Sequence, residues 1–345
     1  MTHMNNMILV TGGAGYIGSH TVVELYAAGY DVVIVDNLCN SQVGMIDGIE
    51  KICHVRPDFE CVDCCDAEAM RGVFQRHPDI CAVIHFAAFK AVGESCSNPL
   101  KYYGNNIMSL VTVLQMMKEF GVNNIVFSSS CTVYGQPTKI PVGEDAPVAP
   151  ANCPYGNTKQ IGEEIIRDTV ATMDNMRSIL LRYFNPIGAH PSGDIGELPL
   201  GVPQNLLPYL MDVAAGTRDC LSVYGGDYNT PDGTCIRDYI DVCDLAKAHV
   251  VAVKRLLNKK TEKVEVFNLG TGCGVSVLEL IARFEQSTGV NVNYKITERR
   301  PGDVEKVYAD CNKANKVLGW KTETPLDDTL RNAWQWHSMV CQLDV

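Results

Sequence analysis

Tyr155 and Lys159 stand four residues apart in the run Pro154-Tyr-Gly-Asn-Thr-Lys159. On a helix that spacing puts both side chains on one face with Cβ atoms roughly 6 Å apart, so an ammonium can stabilise a phenolate beside it. A phenol ordinarily titrates near about 10. One positive charge at roughly 6 Å, at an effective dielectric of about 20, contributes on the order of 3 kcal/mol, enough to pull that value down by roughly 2 pH units. The expected product is a base poised near neutrality, suited to taking a proton from an alcohol or sugar hydroxyl. Alone, the pair is a common accident and reads rather as a solvated lysine beside a packed tyrosine. Its position argues for chemistry, because the run Asn124-Ile-Val-Phe-Ser-Ser-Ser130 has the pattern of a buried strand ending in three hydroxyls, upstream of the tyrosine. Ser130, beside Thr132 and Tyr134, can orient the same hydroxyl, whereas Ser129 reads as a strand-end turn residue.

A second motif supplies a place for a nucleotide. Gly12, Gly15 and Gly18 recur at three-residue intervals between an apolar strand, Met7 to Thr11, and a helix, Ile17 to Ala28. In such a turn one glycine allows the bend, one lets a pyrophosphate approach the backbone, and one lets helix and strand pack closely. The helix N-terminus then faces the phosphates. Asp36 ends the next strand, Asp31 to Val35, where a carboxylate accepts from ribose hydroxyls and repels a 2′-phosphate, which favours NAD over NADP. Asp63, after the third strand, is placed either to meet the adenine or to cap a helix.

These groups need a scaffold. Strands Phe59 to Val62, Cys81 to Phe86, Asn124 to Ser128 and Ser178 to Leu181 continue the series, with helices between them, the longest from Pro99 to Phe120 and the pair-bearing one from Tyr155 to Thr172. Near-continuous apolar strands alternating with helices imply a parallel sheet covered on both faces. The expected class is α/β: a Rossmann-type doubly wound parallel sheet with a smaller mixed α/β substrate-binding lobe. Residues 1–185 form the nucleotide domain. After Asn185 a loop-rich stretch, Pro186 to Pro208, opens the second lobe over 186–345, with 238–270 returning to the first domain through the strand Val264 to Gly270 and a short helix closing the chain near Leu326 to Met339.

The chain of 345 residues is 46% hydrophobic, enough for a sizeable core, and its net charge of −11 argues against nucleic-acid or anionic-membrane surfaces. Arg237, Arg299 and Arg300 remain candidates for a local phosphate pocket. No apolar run approaches a membrane span or a signal segment, and fifteen scattered cysteines suggest reduced thiols in a cytoplasmic protein. The cluster Cys61, Cys64 and Cys65 has no second ligand pair to close a metal site, so no metal is expected.

Together the motifs resemble the extended short-chain dehydrogenase/reductase superfamily and, within it, the UDP-galactose 4-epimerase family. The resemblance is carried by Thr11-Gly-Gly-Ala-Gly-Tyr-Ile-Gly-Ser-His-Thr21, Asp36-Asn-Leu-Cys-Asn-Ser41, His85-Phe-Ala-Ala-Phe-Lys-Ala-Val-Gly-Glu-Ser95, Ser128-Ser-Ser-Cys-Thr-Val-Tyr-Gly135, Arg182-Tyr-Phe-Asn-Pro186 and Gly188-Ala-His-Pro-Ser-Gly193. It implies an NAD retained through turnover, a nucleotide sugar in the cleft between lobes, and a homodimer formed by helices of the first domain. By the same resemblance Tyr155 takes the sugar 4-OH proton, Lys159 also reaches the nicotinamide ribose, and Ser130 with Thr132 holds the hydroxyl. Cofactor positions carry over to Tyr16, Ile17, Asn37, Asn40 and Ser41, to Cys64 beside Asp63, and to Phe86, Ala87, Lys90, Asn105, Ser128 and Tyr183. Uridine and diphosphate positions carry over to Asn185, Asn205, Leu206, Tyr224, Arg237, Arg300 and Asp303.

The implied reaction passes through a 4-keto sugar whose opposite face accepts the returning hydride. The family position beside the sugar 2-substituent, tyrosine in members restricted to UDP-glucose and UDP-galactose, falls on Val307, which implies that UDP-GalNAc and UDP-GlcNAc also react. If this segment is a strand, Tyr308 faces the other way. A sugar-nucleotide dehydratase or decarboxylase begins with the same oxidation but typically needs an acid after the serine strand, where this chain has Ser130-Cys-Thr132. A non-catalytic NAD-binding sensor would tend to lack the Tyr/Lys pair.

Overall fold

The computed structural model describes residues 6–300 and 303–342, so Pro301 and Gly302 of the segment between Arg300 and Asp303 lie outside the described residues. The chain runs β1 (Met7–Thr11), α1 (Tyr16–Ala27), β2 (Asp31–Val35), α2 (Gly44–Cys53), β3 (Asp58–Glu60), α3 (Ala67–Arg76), β4 (Ile80–His85), α4 (Val92–Ser97), α5 (Pro99–Phe120), β5 (Asn124–Ser130), α6 (Pro154–Ala171) and β6 (Arg177–Tyr183). It continues through β7 (Asn185–Ile187), α7 (Leu206–Ala214), β8 (Leu221–Tyr224), β9 (Ile236–Arg237), β10 (Tyr239–Asp241), α8 (Val242–Leu257), β11 (Val264–Leu269), β12 (Val275–Ser276), α9 (Val277–Thr288), β13 (Tyr294–Thr297), β14 (Lys306–Val307) and α10 (Leu326–Cys341). It packs as two units. The first holds residues up to 135, 148–182 and 246–267, and the second holds 136–147, 183–245 and 268 onward.

The first unit is built on a seven-stranded sheet in the order β3-β2-β1-β4-β5-β6-β11. Ile8, Leu9 and Val10 of β1 are fully buried, as strands covered on both faces must be. The strand order reverses between β1 and β4, the switch point at which doubly wound sheets bind ligands. Parallel register there brings Thr11 beside Val35 and His85, and His85 beside Phe127. The next residues of these strands and turns, among them Gly12, Asp36, Phe86 and Ser128, therefore gather at one edge. α5 starts with Pro99 in its first turn and stops at Gly121, whose φ of 72° closes the helix. α6 likewise has Pro154 in its first turn, after Cys153, whose sulfur accepts from the Gly156 N–H.

The second unit carries small sheets, β10 with β7, β12-β9-β14 and β13 with β8, around a core that includes Leu207, Leu210, Leu280, Phe284, Leu330 and Trp334. Two features depart from the sequence expectation. Segment 136–147, which the sequence boundary leaves in the first domain, packs with the second unit: Val142 bridges to Ala309, and Glu144 accepts the Asn268 N–H at 2.7 Å. Second, the regular helices α7, α8 and α9 lie in the second half of the chain, where the sequence reading names only the closing helix near Leu326. The valine-rich run of α8 has weak local helix preference, which packing overrides.

Candidate active site

Tyr155 and Lys159 occupy the first two turns of α6. Lys159 is buried, its Nζ donating to the Ser128 carbonyl at 2.6 Å and standing 5.8 Å from the Tyr155 ring centre. Ser130 Oγ accepts from the Thr132 N–H at 3.2 Å and from the Thr132 hydroxyl at 3.0 Å. With both lone pairs engaged, the Ser130 proton is left for the phenol oxygen of Tyr155, with which it shares a hydrogen bond.

The electrostatics correct the expected poise of the base. Burial pushes the Tyr155 phenol well above its ordinary range, against the lowering hydrogen bond from Ser130. Lys159 is itself drawn down to about 7 by burial, so a full ammonium is not held beside the ring at neutrality. Below it His85, hydrogen-bonded to Thr11 Oγ1 at 2.8 Å, is held at about 3 by burial and by the neighbouring Lys159.

The glycine turn forms the adjacent cradle. Gly12 has φ of +72°, and a Cβ on it would lie 2.9 Å from the Ala87 nitrogen; a Cβ on Gly18 would lie 2.2 Å from the Gly12 carbonyl. Gly15 caps α1 with no side-chain bond, and no acidic residue occupies the first turn, Tyr16 to Gly18. Such an end suits a phosphate. Asp36 is buried and accepts from the Ala14 N–H, the Leu38 N–H and the Ser41 hydroxyl at 3.1, 2.9 and 2.8 Å. A carboxylate has about four accepting positions, so it retains capacity for a ribose hydroxyl. Asn37 Nδ2 donates to Asp63 at 3.1 Å, joining the two loops, while Asn40 is exposed on its own loop.

Lys90 stands 5.8 Å over the Tyr16 ring, Phe86 packs against His249 at 4.7 Å, and Asn105 donates to Asn106 Oδ1 at 3.0 Å. Cys64 points into the hydrophobic core with Val33, Val35 and Met70, so only its backbone can face a cofactor. The exposed Cys61 and buried Cys64 do not converge, and no metal-holding group of three or more His, Cys, Asp or Glu forms among the described residues.

Two residues central to this edge escaped the sequence reading. Glu163, one turn beyond Lys159, receives the Ser129 hydroxyl at 2.6 Å and pairs with buried Arg182 at 2.8 and 2.5 Å. Arg182 also lies 4.8 Å from the Tyr134 ring centre. Ser129 is therefore a tie between strand and helix rather than a turn residue. The available signal was the spacing itself, since 155, 159 and 163 share one helix stripe.

In the second unit Arg300 forks onto Asp303 at 3.2 and 2.8 Å and lies 5.4 Å from the Tyr224 ring centre. Arg237 approaches the same carboxylate at 3.8 Å and pairs in register with Val307, which is buried. Tyr308 stands against Gly274, where an added Cβ would meet its ring at 2.9 Å. Asn185 donates its N–H to the Asp238 carbonyl at 3.0 Å. Asn205 caps α7 ahead of Leu206, its amide held by Glu197 at 2.8 Å, and Tyr183 is buried at the end of β6. Arg299 is turned elsewhere, paired with Asp227 at 2.7 Å over Tyr228. Two arginines around one carboxylate leave a net positive site, suited to a diphosphate.

A family model described as GDP-mannose 4,6 dehydratase matches residues 9–333. The chain is 49% identical to UDP-glucose 4-epimerase 2 of Arabidopsis thaliana over 97% of this chain and 96% of that one. It is 50% identical to UDP-glucose 4-epimerase of Bacillus subtilis over 96% of each. Among solved structures it is similar to UDP-glucose-4-epimerase from Stenotrophomonas maltophila with bound NAD and formylated UDP-arabinopyranose, with a TM-score of 0.94, 47% identity and 99% of each chain covered. A second, from Bifidobacterium longum in complex with NAD+ and UDP, has a TM-score of 0.92 at 46% identity, covering 96% of this chain and 98% of that one.

Proposed function

The chain belongs to the UDP-glucose 4-epimerases of the extended short-chain dehydrogenase/reductase superfamily, and from that premise we propose that it interconverts UDP-galactose and UDP-glucose through a 4-keto sugar. The observation that carries this reading is the Ser130, Tyr155 and Lys159 constellation beside the glycine cradle of the first unit. NAD fits that cradle: Gly12, Gly15 and Gly18 would hold its pyrophosphate and Asp36 its ribose, and bound there it would supply the acceptor and then the donor of the C4 hydride.

The chain's own residues manage the proton. Tyr155 takes it from the sugar 4-OH and returns it to the alcohol of inverted configuration, while Ser130 steers both transfers from the phenol oxygen. A phenolate one turn from Lys159 favours the ammonium, by roughly 3 kcal/mol at about 6 Å and an effective dielectric of about 20, so the pair becomes charged together. Arg237 and Arg300 hold the diphosphate firmly, which leaves the hexose free to present either face of C4.

The smaller side chain at Val307 supports a wider scope that includes UDP-GalNAc and UDP-GlcNAc. Leu100 is 80% exposed and Met108 50% exposed, eight residues apart on one face of α5 with exposed Gly104 between them, which supports a homodimer through this face. Fifteen cysteines outside any disulfide support a reducing, cytoplasmic setting, and among the described residues no helix is long and apolar enough to cross a membrane.

The test is incubation with UDP-galactose and, separately, UDP-GalNAc, without added NAD, followed by chromatography of the products. UDP-glucose and UDP-GlcNAc are the expected products, and Val307→Tyr is expected to remove only the second activity. Turnover of neither sugar, even with NAD supplied, overturns the epimerase reading; turnover of UDP-galactose alone overturns the wider scope.

A further inference from the structure

We propose that Asp238 is a positioning residue that sets Arg237 and the Val307 wall in one register, an assignment that rests on the UDP-hexose reading above. Asp238 is fully buried. Its Oδ1 accepts from the Thr271 N–H at 2.8 Å and the Thr271 hydroxyl at 2.7 Å, and its Oδ2 accepts from the Gly272 N–H at 3.1 Å and the Ala309 N–H at 3.0 Å. Its backbone carbonyl accepts the Asn185 N–H. Three separate segments, at 185, 271–272 and 309, thus meet on one residue.

The residue before it, Arg237, lies in β9 opposite Val275 of β12 on one side and Val307 of β14 on the other. The residue that Oδ2 grips, Ala309, is two beyond Val307. The carboxylate therefore controls where β14 leaves the sheet relative to the guanidinium beside it. Position 270 is adapted to this approach: a Cβ on Gly270 would lie 2.4 Å from Asp238 Oδ2 and 2.9 Å from the Ala309 Cβ. Four donors saturate the carboxylate, so it has no accepting capacity left for a ligand and acts through geometry alone. An apolar residue could fill the volume, but it could not orient four donors from two segments toward one point.

Asparagine at 238 keeps the size but has one accepting oxygen, so its amide must turn against either the Thr271 pair or the Gly272 and Ala309 pair. In NAD-loaded Asp238→Asn we expect UDP affinity measured by calorimetry to weaken, and KM for UDP-galactose to rise, by about tenfold, with kcat per bound NAD held within about threefold. The kcat/KM ratio of UDP-GalNAc to UDP-galactose shifts with it, because the Val307 wall moves. Thr271→Val, which removes one donor and keeps the carboxylate, carries the same prediction at roughly threefold and serves if the first variant does not fold. Unchanged UDP affinity and KM in either folded variant overturns the proposal. So does a loss confined to the yield of NAD-loaded protein, the mark of a merely structural role. UDP binding separates this test from the function itself: a parent protein that binds UDP yet turns over no UDP-hexose overturns the epimerase reading and leaves the Asp238 measurement valid.

Discussion

At the residue scale, the proposed reaction makes Ser130 the group that sets how much base Tyr155 supplies. The hydrogen bond from Ser130 is the lowering influence on a phenol that burial otherwise raises. Ser130→Ala should cut turnover by roughly ten- to a hundredfold and move the rise of kcat/KM to higher pH, checked by a pH profile of the single-turnover step. Lys159 gives a second test, in stability. Its value of about 7 in the fold, against 10.5 for an ordinary lysine, means that the unfolded chain binds more protons across that window. Stability should therefore rise with pH from about 7 to 10.5, and the burial penalty is fully present below 7. Lys159→Met should abolish turnover yet raise the melting temperature of NAD-free protein at about pH 6, with little gain above about pH 10.5. The chemistry of these side chains was legible because a spacing of four survives in any helix. The poise of Tyr155 was not, because it depends on how deeply α6 packs, and spacing says nothing about depth.

At the element scale, α6 is held against the end of β5 by more than apolar packing. Glu163, on the same α6 stripe as Tyr155 and Lys159, joins Ser129 and Arg182 in a buried ionic tie. Removing Arg182 leaves the buried Glu163 carboxylate with only the more distant, half-exposed Arg167 at 3.8 Å as a charged partner, so Arg182→Leu should cost about 3–5 kcal/mol in urea unfolding, and adding Glu163→Leu should recover much of that loss. The central strands of the first unit were readable from uninterrupted apolar runs, unlike β3, whose Asp58-Phe59-Glu60 starts and ends earlier than the expected Phe59 to Val62; α5 was readable from the proline that starts it and the glycine that ends it. α8 was not, because Val250, Val251 and Val253 match a strand as well as a helix until tertiary packing chooses. The second unit was hardest to read for a related reason: its strands β9, β12 and β14 have two residues each, too short to carry a period.

At the scale of the whole molecule, the exposed Leu100 and Met108 lie on one face of α5, the face through which a homodimer is proposed above. The proposed interface predicts that Leu100→Asp with Met108→Asp converts a dimer seen by sedimentation into a monomer while the helical content stays unchanged. An unchanged mass would exclude this face as the interface. The division into units has a consequence for descent. The chain crosses between them at 135, 147, 182, 245 and 267, and the first excursion, 136–147, separates Ser130 and Thr132 from Tyr155. A single recombination event can therefore never exchange one unit for that of a relative, since every such joint would also mix halves of the same unit. A change of sugar scope at the position proposed for Val307 is therefore reached by a substitution in place, without the exchange of a whole unit.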